Sequence, residues 1–496
     1  MDLRMIKGMQ LPKLDLRNME WPRFDFSGIQ WPKMPKLKIG DAVARLPIVQ
    51  GGMGVGISLS GLASAVANAG GIGVIAANSI GMLDPEYYAK NKNANSIILR
   101  KEIRKAREKT PGLIGVNIMV AVDDYPDLLR VCMEEKVDFV FLGAGLPIKG
   151  IPIEDLRACG VKVIPIVSSA RAAELIFKSW SKKYTDVPDA VVVEGPKAGG
   201  HLGFKAEQID DPDFALEKIL PGVVDAIKTF EDTYRRSIPV IAAGGVFTGD
   251  DIYKIFQLGA SGVQMGTRFV ATHECDANIR FKEAYIACGE DDIEIIKSPV
   301  GLPGRAIRNS FLKDIAAGKK IGFKCAWRCL KSCDIKNARY CISLALDNAR
   351  QGILDKGFAF CGSNAYRVDK IVSVKELLQE LIAQYQNAEE KGASKLKEEY
   401  EKALEKLVAL KEEYVIAAKN GLSSLKDEYD RSLEKGAELF REEYLKTMDK
   451  IDSLKADYQN AVDKANRLKA EIVELFEQYS LFDKLQIEGA CQEPCR

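Results

Sequence analysis

The chain has 496 residues, enough for more than one domain, and a hydrophobic fraction of 47% that is ordinary for a globular core. Its formal net charge of +1 offers no whole-chain attraction to nucleic acid or to an anionic membrane surface, and neither partner is expected. The cysteine count is odd, at 11, and the opening residues lack the apolar core of a secretory signal, which fits reduced thiols and a cytoplasmic setting.

Residues 1–40 read as an arm. Leu11-Pro12, Trp21-Pro22 and Trp31-Pro32 recur every ten residues, each followed by Lys or Arg. Prolines at this density favour extended structure. The arm is either a strap held by its tryptophans or a docking segment for a partner.

Residues 41–275 alternate short apolar runs with amphipathic stretches. No Asp, Glu, Lys or Arg occurs between Arg45 and Asp84. A bilayer span is conceivable at that length. The glycines, serines and asparagines scattered through it point instead to a buried strand, turn and helix. The runs are Ile48–Gln50, Gly73–Ala77, Gly115–Ile118, Phe139–Leu142, Val163–Val167, Ala190–Glu194, Val240–Ala243 and Gly262–Met265. They are apolar almost throughout, as strands covered on both faces must be. Helical stretches such as Tyr125–Lys136 and Ile252–Leu258 separate them. This pattern predicts an α/β fold, a TIM (β/α)8 barrel.

Residues 276–385 read as a mostly helical, cysteine-bearing cap region, ending in a helix over Val374–Tyr385. Cys325, Cys329, Cys333 and Cys341 follow a C-x3-C-x3-C-x7-C spacing. This is neither a common zinc pattern nor a usual ferredoxin one. On a continuous helix the first three would share a face. Zn or an Fe-S cluster is one reading, and buried thiols used as small apolar residues are the other.

From 386 to 482 the chain is rich in Glu, Lys, Leu and Ala, before a tail over 483–496. Tyr400, Tyr414, Tyr429, Tyr444 and Tyr458 recur within the repeats LKEEYEKAL, LKEEYVIAA, LKDEYDRSL, FREEYLKTM and LKADYQNAV. Four helical turns take about 14.4 residues, so these tyrosines share one face of a long, nearly straight helix. Gly392, Gly421 and Gly436 are points where it could fold back. A Leu/Tyr stripe left in water is unfavourable, so a coiled-coil-like module that makes the chain a homo-oligomer is expected.

The chemistry is sought at the C-terminal ends of the barrel strands, where active sites on this fold are built. The seventh run ends in Gly244-Gly245 and the eighth in Gln264, Gly266 and Thr267. Those two loops commonly make a phosphate site, and glycine lets backbone N–H groups approach it. The first run ends in Gly52-Met53, the third in Asn117 and the sixth in Glu194, followed by Gly200-His201. His201 and His273 are the only histidines. The glycine-rich setting of His201 marks it as the general acid or base, whereas His273 reads as structural.

The strings PIVQGGMG, NAGGIGVI, GVNIM, EGPKAGGHLG, IPVIAAGGV, LGASGVQMGTRFV and SPVGLPGRAIRN resemble the nitronate monooxygenase (2-nitropropane dioxygenase) family. They equally resemble the FMN-dependent enoyl-ACP reductases that share its fold. The resemblance covers about residues 46–310 and implies a flavoprotein oxidoreductase holding FMN non-covalently. It implies Gly52, Met53 and Asn117 at the flavin ring and Gly200 beside the flavin and substrate. Gly244, Gly245, Gly266 and Thr267 would be at the phosphate, with Gln264 nearby; Glu194 is counted among the cofactor-binding residues from its place at the end of the sixth run. His201 matches the catalytic histidine. Two substrates fit: an alkyl nitronate oxidised with O₂, or an enoyl thioester reduced at the expense of NAD(P)H. QGGMG is closer to the reductases, and SPVGLPGRAIRN to the monooxygenases. A non-catalytic flavin barrel serving as a scaffold for the helical module is the third reading, and the intact His201 and glycine positions argue against it.

Overall fold

A computed structural model describes residues 34–325, 329, 330, 333–435 and 438–489. The Trp-Pro repeats of the arm fall outside these residues. The chain divides into two compact units, one of Lys33–Ala388 and one that contains Glu389–Arg496.

The first unit is built on eight parallel strands: β1 (Ile48–Gln50), β2 (Gly73–Ala76), β3 (Ile114–Met119), β4 (Phe139–Gly143), β5 (Lys162–Val167), β6 (Val191–Glu194), β7 (Val240–Ala243) and β8 (Gly262–Met265). Their order in the sheet is β1-β8-β7-β6-β5-β4-β3-β2. A parallel bridge between Val49 and Ile72 brings β1 back to the start of β2. There Gln50 N–H donates to Ile72 O over 2.9 Å and Ile72 N–H to Ile48 O over 3.0 Å. This is the TIM barrel that the apolar runs predict.

Alternation along each strand divides the core. Val191 and Val193 pack outward with the helices, while Ala190 and Val192 belong to the barrel interior with Val49, Val74, Phe139, Phe141, Ile164 and Ile241. Both faces are dry, which is why the runs are apolar almost throughout. A hairpin of Leu37–Ile39 and Ala42–Ala44 contributes Leu37, Ile39 and Ala44 to that interior cluster. Leu37 reaches the first residue of β8, with its Cδ2 3.0 Å from where a Cβ on Gly262 would lie. The hairpin therefore plugs the N-terminal end, and the C-terminal end is left for a site.

Local signals set the flanking helices. Ser169 caps Ala170–Tyr184 by accepting from Ala172 N–H. Thr248 and Asp251 form a reciprocal capping box at Gly249–Phe256. Each cap is worth about 1 kcal/mol. The uncharged stretch after Arg45 forms β1, a loop, the helix Ser60–Ala69 and β2. Among the described residues no helix is long and apolar enough to cross a membrane.

The region after β8 departs from a mostly helical cap. Helices Ile279–Ile286, Ser310–Ala316 and Ile342–Arg350 are present. Between the first two, Ile293–Lys297 and Pro303–Ile307 form an antiparallel pair, and Gly200–His201 adds to it as a third strand. The described residues from Cys325 to Cys341 are turn and coil, apart from an antiparallel bridge of Leu330 to Val122. The three cysteines therefore do not share the face of a continuous helix.

The helix that begins at Val374 runs to Lys435, and a second helix spans Glu438–Gly489. Within the second unit Tyr400, Ala403 and Leu407 pack in one cluster with Tyr458, Ala465, Leu468 and Ile472. Tyr414 packs with Ile451 and Leu454. Pairing of earlier residues with later ones means the two helices run antiparallel, and the chain itself buries this part of the tyrosine stripe. The weak point at Gly436 lies outside the described residues.

Candidate active site

A cavity of about 310 Å³ opens at the C-terminal ends of the barrel strands. It is lined by Gly52, Met53, Asn117, Glu194, Gly200, His201, Gly244, Gly245, Gln264, Gly266 and Thr267. The barrel thus brings every residue singled out for the flavin or for catalysis around one space. Tyr285, Leu330, Ile342, Leu346 and Phe360, from the region after β8, complete its walls.

Two glycine positions show how closely the backbone approaches. A Cβ on Gly52 would lie 2.3 Å from the Asn117 Cβ, so the β1 loop packs directly on the β3 amide. Gly244 has φ +88°, and a Cβ there would lie 2.7 Å from the Gly195 carbonyl oxygen. A side chain at Gly244 meets both backbone strain and a clash. The β8 loop is tied to a later segment, since Gly362 N–H donates to Thr267 Oγ1 over 3.0 Å. Asn364 Nδ2 donates to the Gly245 carbonyl over 2.7 Å. Segment 360–364 therefore braces both glycine loops.

His201 is held from three sides. Its backbone pairs with Gly304 of the antiparallel sheet. Its Nε2 lies 2.7 Å from Ser298 Oγ, and its ring meets Phe360 edge-on at 5.1 Å between centroids. Burial lowers its pKa to about 4, so the imidazole is neutral near pH 7. A neutral imidazole offers one lone pair to a proton. Ser298 is itself buried.

The loop before His201 is set by Arg305. This guanidinium is buried, and its Nη1 donates to Pro196 O over 2.6 Å and to Ala198 O over 2.7 Å. Tyr285 Oη donates to the Phe360 carbonyl and fixes the aromatic wall. Sequence reasoning did not single out Ser298, Arg305, Tyr285 or Phe360. Ser298 and Arg305 lie within SPVGLPGRAIRN, a string noted for resemblance alone, and Tyr285 and Phe360 carry no local signal.

His273 stands apart. It is exposed, and its hydrogen bonds are to its backbone: His273 N–H to Val372 O over 2.9 Å, and Lys282 Nζ to His273 O over 3.1 Å. It is not among the cavity residues.

The four-cysteine expectation of Zn or Fe-S is corrected. Cys329 Sγ lies 3.8 Å from Ser343 Oγ, and burial pushes its pKa up to about 11, with Cys341, Cys325 and Cys333 adding to the rise. Burial thus holds the Cys329 and Cys341 thiols toward the protonated state. Among the described residues no group of three or more His, Cys, Asp or Glu side chains is placed to hold a metal ion.

Comparison with known proteins gives consistent results. The family model of nitronate monooxygenase matches residues 36–384. The chain is 31% identical over 283 residues to (3aS,4S,5R,7aS)-5-hydroxy-7a-methyl-1-oxo-octahydro-1H-indene-4-carboxyl-CoA dehydrogenase of Mycobacterium tuberculosis, covering 57% of this chain and 69% of that protein. For the Rhodococcus jostii protein of the same name it is 30% over 269 residues, 54% of this chain and 64% of the relative's length. A probable nitronate monooxygenase of Staphylococcus aureus is 28% identical over 293 residues, 54% of this chain and 77% of that one. Among solved structures, FabK from Thermotoga maritima aligns with a TM-score of 0.56 and 30% identity, over 70% of this chain and 95% of its own.

Proposed function

The chain belongs to the nitronate monooxygenase family, and from that premise we propose that it is an FMN-dependent oxidoreductase that oxidises alkyl nitronates with O₂. The observation that carries the reading is His201, neutral and braced by Ser298, facing a cavity rimmed by glycine loops at the catalytic end of the barrel. The residues present fit FMN. Gly52 lies against Asn117 with no room for a side chain, and Gly244-Gly245 open the loop after β7, one of the two loops that bind phosphate on this fold. Gly52, Met53 and Asn117 would hold the ring, and Gly244, Gly245, Gly266 and Thr267 the phosphate. The bound flavin supplies the electron acceptance that no amino-acid side chain offers.

The protein's own part is positional. His201 Nε2 or Nδ1 accepts the α-proton of a neutral nitroalkane, or pairs with the nitronate, while Phe360 and Ser298 keep the ring from rotating. Tyr285, Leu346 and Phe360 exclude water from the reacting end. Arg305 fixes the loop that carries His201.

A second reading is NAD(P)H-dependent reduction of an enoyl thioester, with His201 assisting proton delivery. Two observations favour it: the similarity to FabK over 95% of that chain, and the Gln50-Gly51-Gly52-Met53 turn. An anaerobic titration separates the two. Bleaching of the flavin absorbance by a nitronate, followed by O₂ consumption, supports the oxidase reading. Bleaching only by NAD(P)H, with reoxidation by a crotonyl thioester, overturns it in favour of the reductase.

We further propose that the helical unit mediates self-association of the chain. Val408, Ile416 and Leu445 remain exposed on it after the two helices have paired. Light scattering of the full chain, before and after replacing these three with Lys, tests this. A monomer at all concentrations removes the proposal.

A further inference from the structure

Among the described residues lining the cavity, Glu194 is the only carboxylate. Its position follows from the barrel's alternation. Ala190 and Val192 face the interior, so Glu194, two residues on, continues the same face at the top layer. In register it lies beside Ala243 of β7. No hydrogen bond or ion pair to its carboxyl occurs among the described residues; burial is the sole influence on it and raises its pKa to about 7. An acid at this level of a barrel core, with no partner, is costly when charged, because the surrounding protein cannot replace its lost hydration.

The other titratable side chains lining the cavity do not compensate it. His201 is neutral above about pH 4. Burial raises the pKa of Tyr285 and of Cys361, so both stay protonated near neutrality. Lys197 is the single cation on the lining, and no ion pair joins it to Glu194 among the described residues. What hydration the carboxylate retains comes through the open space of the cavity.

We propose that Glu194 is a proton-holding positioning residue beneath the flavin: the carboxyl takes up a proton when FMN fills the cavity and releases it when FMN leaves. The inference rests on the FMN reading above. A ring system entering the cavity closes the open space through which the carboxyl is hydrated and penalises its charged form further. The protonated acid, in contrast, can donate its O–H to a carbonyl or imine acceptor of the ring. The pKa of Glu194 is then higher in the bound state than in the free state, and binding is linked to uptake of one proton.

The test is the dissociation constant of FMN from the full-length apoprotein, read by quenching of flavin fluorescence between pH 7 and 9. The window begins above the second ionisation of a phosphomonoester, about 6. The expected result is a Kd that rises with pH, approaching about tenfold per unit for a single linked proton. Glu194→Gln should bind FMN as tightly as the wild type at pH 7 and show a flat profile. A second measurement needs no variant: calorimetry of FMN binding at pH 8 in buffers of different ionisation enthalpy should report net proton uptake by the wild type. A flat wild-type Kd without proton uptake, or a slope that persists in Glu194→Gln, overturns the proposal and leaves the FMN reading intact. Failure of the wild type to bind FMN at any pH removes both.

Discussion

Two regions gather reactive side chains in this sequence, and only one becomes a site. The loop around His201 and the segment from Cys325 to Cys341 both concentrate chemistry within less than twenty residues. The His201 loop is pinned by the antiparallel strand Pro303–Ile307, by the Arg305 guanidinium on two carbonyls and by the Ser298 hydroxyl. The described residues of the cysteine segment are turn and coil apart from the bridge of Leu330 to Val122, and among the described residues no group of three or more His, Cys, Asp or Glu side chains is placed to hold a metal ion. Residue type alone does not make a site. Backbone constraint from distant segments does, because catalytic and ligating geometry must be held to fractions of an ångström.

That contrast can be broken most directly at His201. Replacing it with Ala should lower turnover about 10²- to 10⁴-fold, the usual worth of a positioned acid or base, while flavin content is unchanged. A variant with full turnover ends its catalytic assignment. The pH profile sharpens the same point. His201 works as an acceptor when unprotonated, and its pKa lies at about 4. With His201 as the acceptor, kcat/KM should be level from pH 8 down to about 5 and then fall about tenfold per unit below pH 4.

Arg305→Met leaves two buried carbonyls without a donor, and urea unfolding should show a loss of roughly 2–5 kcal/mol. An unaltered midpoint would mean the loop before His201 holds itself. Gly244→Ala places a Cβ 2.7 Å from the Gly195 carbonyl at a φ of +88°. It should cost about 1–3 kcal/mol and let FMN wash out on desalting. Ser298→Ala should reduce turnover only about tenfold, by freeing the His201 ring. The acid limb should not move, because burial sets that pKa. The smallest effect is expected at the cysteines. Changing all four to Ser should leave flavin content and turnover within about twofold. Stoichiometric iron or zinc in anaerobically purified wild type would erase the contrast between the two regions.

Much of the barrel was legible along the chain. Runs such as Phe139–Leu142 and Val240–Ala243 are apolar at every position because both faces of a parallel strand are buried, and that pattern is local. Gly244 and Gly245 were legible for a related reason: a positive φ is a demand on one position, whereas the need for a glycine at Gly52 comes from the approach of Asn117 on β3. The cavity-lining role of Glu194 followed from its place at a strand end, but its isolation from any cation did not. The tyrosine period announced one helix face. It could not say that Tyr400 would meet Tyr458 from the same chain.

The sequence by itself therefore determined the eight-stranded barrel, the glycine loops and the candidacy of His201, since each depends on periodicity or on the conformational needs of single residues. Tertiary structure alone decided that Ser298, 97 residues away in the chain, meets the histidine. It also decided that Arg305 clamps the preceding loop, that Tyr285 and Phe360 wall the cavity, and that the four cysteines do not converge on a metal geometry. Those outcomes depend on contacts between segments whose separation along the chain carries no local signature, and folding fixes them through the packing of the whole unit.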